Sequence, residues 1–212
     1  MTRPRKVFLL ALLVPFVALA GWLAYRETRT PQSENEVLKR MIELQREGRY
    51  DKAVQVVQNW ISDSRRDKSH DEQLYQQIAM VYIGKAYKRR SSRDESLHLA
   101  EMNLEKSLGL FEKDSPKDND PLLFEIGGAY ELLADTSDKD KCRLYQKASA
   151  ALTRQLPLIK GDFCTTYGKP LPLEPIRAEI RKHLDAVNGK SSKAGCQDGE
   201  NTRRDETDTT HE

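Results

Sequence analysis

The sequence has few of the residues, and none of the short motifs, that usually mark a catalytic or metal-binding site. Its 212 residues include three cysteines and four histidines. There is no CxxC pair, HExxH sequence, glycine-rich phosphate loop or nucleophile elbow, and no histidine has other metal-ligating residues at a suitable spacing. We therefore expect no catalytic residue, no metal site and no cofactor. An enzyme whose site follows none of these motifs is the alternative.

The chain also carries little net charge. It has 35 basic and 33 acidic residues, for a formal charge of +2. Arg3, Arg5 and Lys6 account for this excess, because without them acidic residues outnumber basic ones by one. A nucleic-acid-binding domain needs a concentrated positive surface against the phosphates. We therefore expect no nucleic-acid partner.

One long apolar run, from Val7 to Tyr25, contains no charged residue. As a helix it would span about 28 Å, close to the ~30 Å hydrocarbon core of a bilayer. Trp22 and Tyr25 fall where aromatic rings prefer the membrane interface, and the three basic residues precede the run. The sequence thus predicts a cytoplasmic N-terminus at residues 1–6 and a transmembrane signal-anchor helix at 7–25. The rest would lie in the periplasm or outside the cell, and a bacterial inner membrane fits best.

The same run also resembles a cleaved signal peptide. Ala18 and Ala20 are small residues before Gly21, as at a signal-peptidase site. The apolar run continues from Trp22 through Tyr25, which favours the anchor. Cleavage near Ala20 would instead release a soluble periplasmic or secreted protein, and both alternatives export the remainder of the chain.

After a polar linker at residues 26–35, the sequence predicts an all-α fold. From residue 37 to about 156, apolar residues recur at helical spacing and strand-like alternation is absent. The segment "GDFCTTYGKPLP", residues 161–172, is predicted to be an irregular loop. Glu174–Val187 is predicted to form a capping helix. The helical domain would thus cover residues 36–188.

The last segment, residues 189–212, has a different composition. It consists mainly of Gly, Ser, Lys, Asp, Glu and Thr, with almost nothing to bury. Such a segment cannot offset the entropy that folding costs. We therefore predict a disordered tail.

Three segments of the helical domain repeat one spacing of large and small residues. They are "VLKRMIEL", "YQQIAMVY" and "LFEIGGAY", which begin at Val37, Tyr75 and Leu123. Residues at the first, fourth, fifth and eighth places lie on one helix face, and a small residue among large ones lets a second helix approach closely. Apart from one polar exception, Arg40, the pattern predicts the first helix of a helical hairpin in each segment.

The stretch "EGRYDKAVQVVQNWI", Glu47–Ile61, indicates how the first hairpin turns. Gly48 can adopt the conformation of a tight turn, Tyr50 is expected to pack over that turn, and Ala53 to lie where the two helices are nearest. The Gly-x-Tyr-x2-Ala element and the repeated spacing resemble the tetratricopeptide repeat (TPR). That resemblance implies about three hairpin pairs over residues 34–156, whose concave groove binds a peptide or helix of another protein.

The resemblance is incomplete in two respects. Equivalent first-helix positions are 38 and then 48 residues apart, whereas the usual period is about 34. The Gly-x-Tyr-x2-Ala element is complete only in the first pair. An irregular array of helical hairpins outside that family is the alternative.

By this resemblance, the groove would be lined by first-helix residues of mixed apolar and amide character. Some TPR domains clamp a terminal carboxylate with a lysine and an asparagine, and the matching positions here offer neither. The candidate groove residues are Gln76, Gln77, Met80, Ile83 and Phe124. Their alternative role is to form the core with one another. The predicted function is a membrane-anchored protein–protein interaction scaffold or assembly factor.

One concentrated basic patch follows the second repeat segment. Its residues are Lys85, Lys88, Arg89, Arg90 and Arg93. The patch could contact anionic lipid headgroups or an acidic partner. Alternatively, it is a solvated helix end whose cations offset the helix dipole.

The three cysteines, Cys142, Cys164 and Cys196, have no metal-binding spacing. Outside the cytoplasm two of them could form a disulfide, and we expect Cys142 and Cys164 to be the possible pair. The loop between their predicted helix and Cys164 is long enough to return. The alternative is a free thiol at Cys142 and another at Cys196.

Overall fold

The computed structural model describes residues 31, 33–113, 118, 120–166 and 169–196. The predicted anchor at residues 7–25 and most of the predicted tail lie outside these residues. No helix in the described ranges combines the length and apolar character that crossing a membrane requires.

The described chain is helical apart from one short hairpin, so the all-α prediction is confirmed. The helices are α1 (Glu34–Arg46), α2 (Tyr50–Ile61), α3 (Asp71–Lys88), α4 (Arg93–Lys113), α5 (Leu122–Thr136), α6 (Lys141–Gln155) and α7 (Glu174–Lys193). Short 3₁₀ turns at Arg90–Ser92 and Leu156–Leu158 adjoin α4 and α6.

The helices form two layers, because consecutive helices pack antiparallel and alternate helices lie side by side. The odd-numbered helices form one layer, which we call the odd layer. In it, Glu34 at the start of α1 is 3.5 Å from His70, the residue before α3. At the other end of these helices, Arg89, the residue after α3, donates a hydrogen bond to the carbonyl of Gly48, which follows α1. The even-numbered helices form the other layer, which we call the even layer. In it, Arg154 of α6 pairs with Glu112 of α4 at 2.8 Å. The odd helices α1, α3, α5 and α7 therefore all begin at one edge of the array.

The first hairpin has the geometry that its sequence predicts. Gly48 has a φ of +73°, in the left-handed region that favours glycine, and it ends α1. Tyr50 and Ala53 are buried, and they share an apolar cluster with Met41 and Val57 of the two helices. The Gly-x-Tyr-x2-Ala element therefore closes this turn as expected.

A glycine also sets the close approach of α5 to α6. A Cβ added to Gly127 would lie 2.8 Å from Leu152 Cγ and 3.3 Å from the Ala148 carbonyl oxygen. Gly127 holds the small position of the repeated spacing, between Ile126 and Tyr130. The larger apolar cluster of the protein surrounds this contact and joins α3, α4, α5 and α6.

The segment before α7 is a hairpin and not the irregular loop that the sequence predicts. Strand β1 (Phe163–Thr166) pairs antiparallel with β2 (Lys169–Pro172). Proline in β2 hid this strand from pattern analysis, since proline is tolerated only in edge positions such as this one. The hairpin connects the end of α6 to the start of α7.

Helix α7 continues five residues past the predicted domain boundary at residue 188, to Lys193. Its buried residues are Ile180 and Val187, both within the predicted capping helix. Beyond them, Lys190 reaches back to Glu131 and Asp135 of α5 at 2.8 and 2.5 Å. Contacts with α5 therefore continue along the extra turn, where the sequence alone offers nothing to bury.

The predicted pairing of Cys142 with Cys164 is wrong, because Cys142 is bonded to Cys196. Since α6 and α7 run antiparallel, the start of α6 lies beside the end of α7. The Cα atoms of the two cysteines are 5.2 Å apart, within the normal range for a disulfide. The sequence prediction failed because it placed Cys196 in a mobile tail.

Candidate functional site

The outward side of the odd layer is a candidate binding surface. We call it the odd-helix face and define it by Ile42 of α1, Gln73, Gln77 and Met80 of α3, and Leu132 of α5. The three α3 residues are spaced four and three apart, which places them in one stripe along the helix. Ile42 and Leu132 are 42% and 45% exposed. They are two of the four large apolar side chains that are exposed within the described residues.

The five predicted groove residues do not share this face. Gln77 and Met80 lie on it and are partly exposed. Gln76 and Ile83 are only 5% and 6% exposed, because they lie on the side of α3 that packs against other helices. These two are core residues, unavailable to a partner.

Phe124 is partly buried against α7 and not open on the face. Its ring meets the imidazole of His183 edge-on, with ring centroids 5.3 Å apart. The Nε2 atom of His183 contacts the Glu131 carboxylate, so one α7 side chain bridges two turns of α5. Burial opposes ionisation of Glu131, but hydrogen bonds from Lys190 and His183 outweigh it and lower the pKa of this carboxyl.

A pocket of about 340 Å³ lies beside Phe124, where α5 and α7 begin and α6 ends. We call it the α5–α7 pocket. Its lining is mainly apolar and comprises Pro121, Phe124, Gln155, Ile159, Leu173, Pro175, Ile176, Glu179 and Ile180. Ile159, Leu173 and Ile180 are buried in a small apolar cluster of their own, separate from the two larger ones.

Gln155 fixes the shape of this pocket. Its side chain is fully buried, and its Oε1 accepts a hydrogen bond from the Phe124 amide while its Nε2 donates to the Asp120 carbonyl. Asp120 Oδ1 accepts from the Leu122 amide. The Asp120 carboxylate pairs an amide that the first turn of α5 would otherwise leave unpaired, and Gln155 adds a second acceptor to the Phe124 amide, which also donates to the Pro121 carbonyl. The end of α6 is thereby locked onto the start of α5.

One carboxylate lines the pocket and a second lies nearby on α5. Glu179 lines it, and Glu125 lies one helical turn after Pro121 on α5. Partial desolvation, together with the nearby Asp120 carboxylate, raises the pKa of Glu125. Lys182 is 3.9 Å from Glu179 and offsets part of this negative charge. An apolar pocket with an acidic rim is the result.

Three residues of the predicted basic patch are engaged by other parts of the protein. Lys85 pairs with Asp51 at 2.6 Å, and Arg89 donates to the Gly48 carbonyl at 2.9 Å and lies over the Tyr50 ring. Arg93 instead contacts the turn after α5, where it donates a hydrogen bond to the Thr136 carbonyl and pairs with Asp138 at 3.4 Å.

The two remaining residues of the patch, Lys88 and Arg90, are exposed. Lys88 lies over the ring of its neighbour Tyr87. The patch thus joins the first hairpin to the turn after α5, and it does not present five free cations together.

The acidic residues of α4 form a structural network across the even layer. Arg143 binds both carboxylate oxygens of Glu101, and Lys147 lies 2.7 Å from Glu101 and 2.6 Å from Glu105. The hydrogen bond from Arg143 lowers the pKa of Glu101 to about 2, despite the opposing effect of its burial. Paired in this way, these carboxylates hold α4 against α6. Within the described residues, no three His, Cys, Asp or Glu side chains are placed to hold a metal ion.

Sequence patterns missed two parts of the candidate site. Leu132 lies in α5, which is apolar along most of its length, so helical periodicity alone did not show that Leu132 is the large apolar residue that faces outward. The α5–α7 pocket depends on Ile159 and Leu173, which flank the hairpin that was predicted to be an irregular loop. Comparison of the chain with protein-family models, curated proteins and solved structures found no match.

Proposed function

We propose that this protein is a membrane-anchored interaction scaffold or assembly factor with a TPR-like array, whose odd-helix face binds a segment of another protein. The observation that carries the proposal is the pair of exposed apolar side chains, Ile42 and Leu132, on either side of Gln77 and Met80. Large apolar side chains exposed on one face favour a protein partner over solvent.

The chemistry of this face favours an amphipathic helix or an extended segment as the ligand. Apolar side chains at its two sides would bury the apolar face of such a segment, and the amides of Gln73 and Gln77 can hydrogen-bond its polar groups. In TPR-like arrays the first helices line the concave side, which provides an extended binding surface.

The apolar run at residues 7–25 supports the proposed anchor. Eight residues, 26–33, separate this run from α1 and reach at most about 26 Å when extended. The start of α1, and with it the edge where every odd helix begins, would therefore stay close to the bilayer. Such confinement raises the effective concentration of weak contacts between membrane proteins.

The Cys142–Cys196 disulfide supports export, since structural disulfides persist mainly in oxidising compartments. A bacterial periplasm fits this chemistry. The soluble form released by cleavage near Ala20 is the second candidate, with the same odd-helix face as its binding surface. The mass of the mature chain separates the two, because cleavage removes the first 20 residues.

The test is affinity capture of the full-length chain after crosslinking in cells. A double variant, Ile42→Glu with Leu132→Glu, places charge on the odd-helix face. The matched control is Met102→Glu, at an equally exposed apolar residue on α4. We expect the native chain and the control to capture the same membrane or envelope protein and the double variant to lose it. Equal capture by all three would overturn the proposal.

A further inference from the structure

The α5–α7 pocket adjoins the odd-helix face but differs from it in shape and charge. It is a concave site of about 340 Å³, near the lower limit for ligand pockets. The face, by contrast, has protruding side chains. A pocket of this size accommodates one bulky side chain, which is how partner residues often anchor a protein interface.

The rim of the pocket selects the charge of its ligand. Glu179 lines the mouth and is exposed, Glu125 is exposed one helical turn after the lining residue Pro121, and Asp120 lies close to Glu125. Two nearby cations are already engaged: the Arg177 guanidinium donates to the Ile159 carbonyl and pairs with Glu174, and Lys182 lies 3.9 Å from Glu179, so Glu125 and Asp120 carry the negative charge that these cations do not offset. A cation beside the pocket would therefore meet carboxylates, whereas an anion would be repelled.

We propose that the α5–α7 pocket binds a bulky apolar side chain of the partner protein, with a lysine or arginine next to it in the partner sequence. This inference rests on the proposed function and specifies the chemistry of the bound segment. Phe124, Ile176 and Ile180 would pack against the apolar side chain. Glu125 and Glu179 would pair with the neighbouring cation.

The negative charge beside the pocket favours a protein segment over a lipid chain as the ligand. Phospholipid headgroups carry phosphate, and an acyl chain in this pocket would bring that anion against Glu125 and Glu179. A peptide can instead supply an apolar group and a cation on adjacent residues. The two occupants are distinguishable because they respond oppositely to removal of the carboxylates.

The experiment is methyl NMR on the full-length chain in lipid nanodiscs, with isoleucine methyl groups labelled. Ile159, Ile176 and Ile180 report on the pocket, and Ile42 reports on the odd-helix face. Two acetylated, amidated tripeptides are the probes, Lys-Phe-Lys and Glu-Phe-Glu. We expect Lys-Phe-Lys to shift the three pocket signals saturably and Glu-Phe-Glu to bind more weakly.

Variants separate the pocket from its rim. Ile176→Trp should fill the pocket and abolish the shifts, whereas Met102→Trp, the control at an exposed position on α4, should leave them unchanged. The double variant Glu125→Gln with Glu179→Gln keeps the shape of the pocket. It should weaken Lys-Phe-Lys binding by about twofold to fivefold, as expected for exposed charge pairs, and raise the affinity for Glu-Phe-Glu.

Several results would overturn the inference. These are the absence of saturable shifts, equal binding of the two peptides, or contacts between lipid methylenes and the pocket methyl groups. Failure here is distinct from failure of the proposed function. If cellular capture still depends on Ile42 and Leu132 while the peptides do not bind, the scaffold proposal stands without this pocket.

Discussion

Removal of the Cys142–Cys196 disulfide should destabilise the array at its C-terminal end. The bond joins residues 54 apart, so it closes a loop that the unfolded chain would otherwise leave open. The entropy of closing a loop of this length corresponds to about 4 kcal/mol. Other contacts hold the end of α7, including Val187 and the Ser149–Asn188 hydrogen bond. We therefore expect Cys142→Ser to fold and to lose about 2 to 4 kcal/mol.

Urea unfolding of the oxidised full-length chain in nanodiscs measures this loss. For a protein of this size, it corresponds to a fall in Tm of roughly 4 to 16 °C. Cys164→Ser is the matched control and should change neither the stability nor the bond. Hydrogen exchange should accelerate first in the last turns of α7, because these turns lose their covalent attachment to α6.

Non-reducing peptide mapping gives the decisive check on connectivity. The structure requires one peptide pair containing Cys142 and Cys196. A pair containing Cys164, or a Cys142→Ser variant as stable as the native chain, would refute the reasoning. A pair containing Cys164 would show that α7 is arranged differently. A Cys142→Ser variant of native stability would show that the disulfide does not contribute to the free energy of unfolding.

Three further predictions concern the helix contacts. Gly127→Ala should destabilise the protein by about 1 to 2 kcal/mol in thermal unfolding, because the added Cβ would overlap Leu152. The control Gly109→Ala has open space around the added Cβ and should stabilise the protein by up to about 1 kcal/mol. Glu101→Gln should lower the free energy of unfolding by about 1 to 2 kcal/mol at neutral pH. Because the folded state lowers the pKa of Glu101 to about 2, this carboxylate stabilises the fold fully above pH 4.5 and loses its effect as the pH falls towards 2. Urea unfolding at a series of pH values should show the difference between the variant and the native chain vanish over that range. Gly48→Ala should cost about 1 kcal/mol because of its positive φ, and an unchanged melting temperature would contradict the turn geometry.

Local patterns predicted the parts of the fold that depend on neighbours in sequence. Gly48, Tyr50 and Ala53 identified the first hairpin because turn conformation and helix spacing are local properties. Gly127 marked a close helix contact for the same reason. The choice between groove and core at Gln76 and Ile83 was not local, since α3 packs on several sides and its buried positions follow no single stripe.

The C-terminal region depended on contacts that the sequence does not show. Cys196 lies 54 residues from its partner, and its position is set by the length and direction of α7. Proline obscured β2, and the α5–α7 pocket forms only when the ends of three elements meet. Glu101 and Arg93 connect helices because the packing brings them partners from about 40 residues away, which no local pattern shows.

We propose that the odd-helix face holds a partner protein. Photocrosslinking at single positions of the full-length chain in cells tests it most directly, with the reactive side chain placed at Gln77 or, as a control, at Met102. We expect a discrete adduct from Gln77, mapped to one apolar or amphipathic segment of the captured protein, and none from Met102. Adducts of equal yield from both positions, or from Met102 alone, would contradict it.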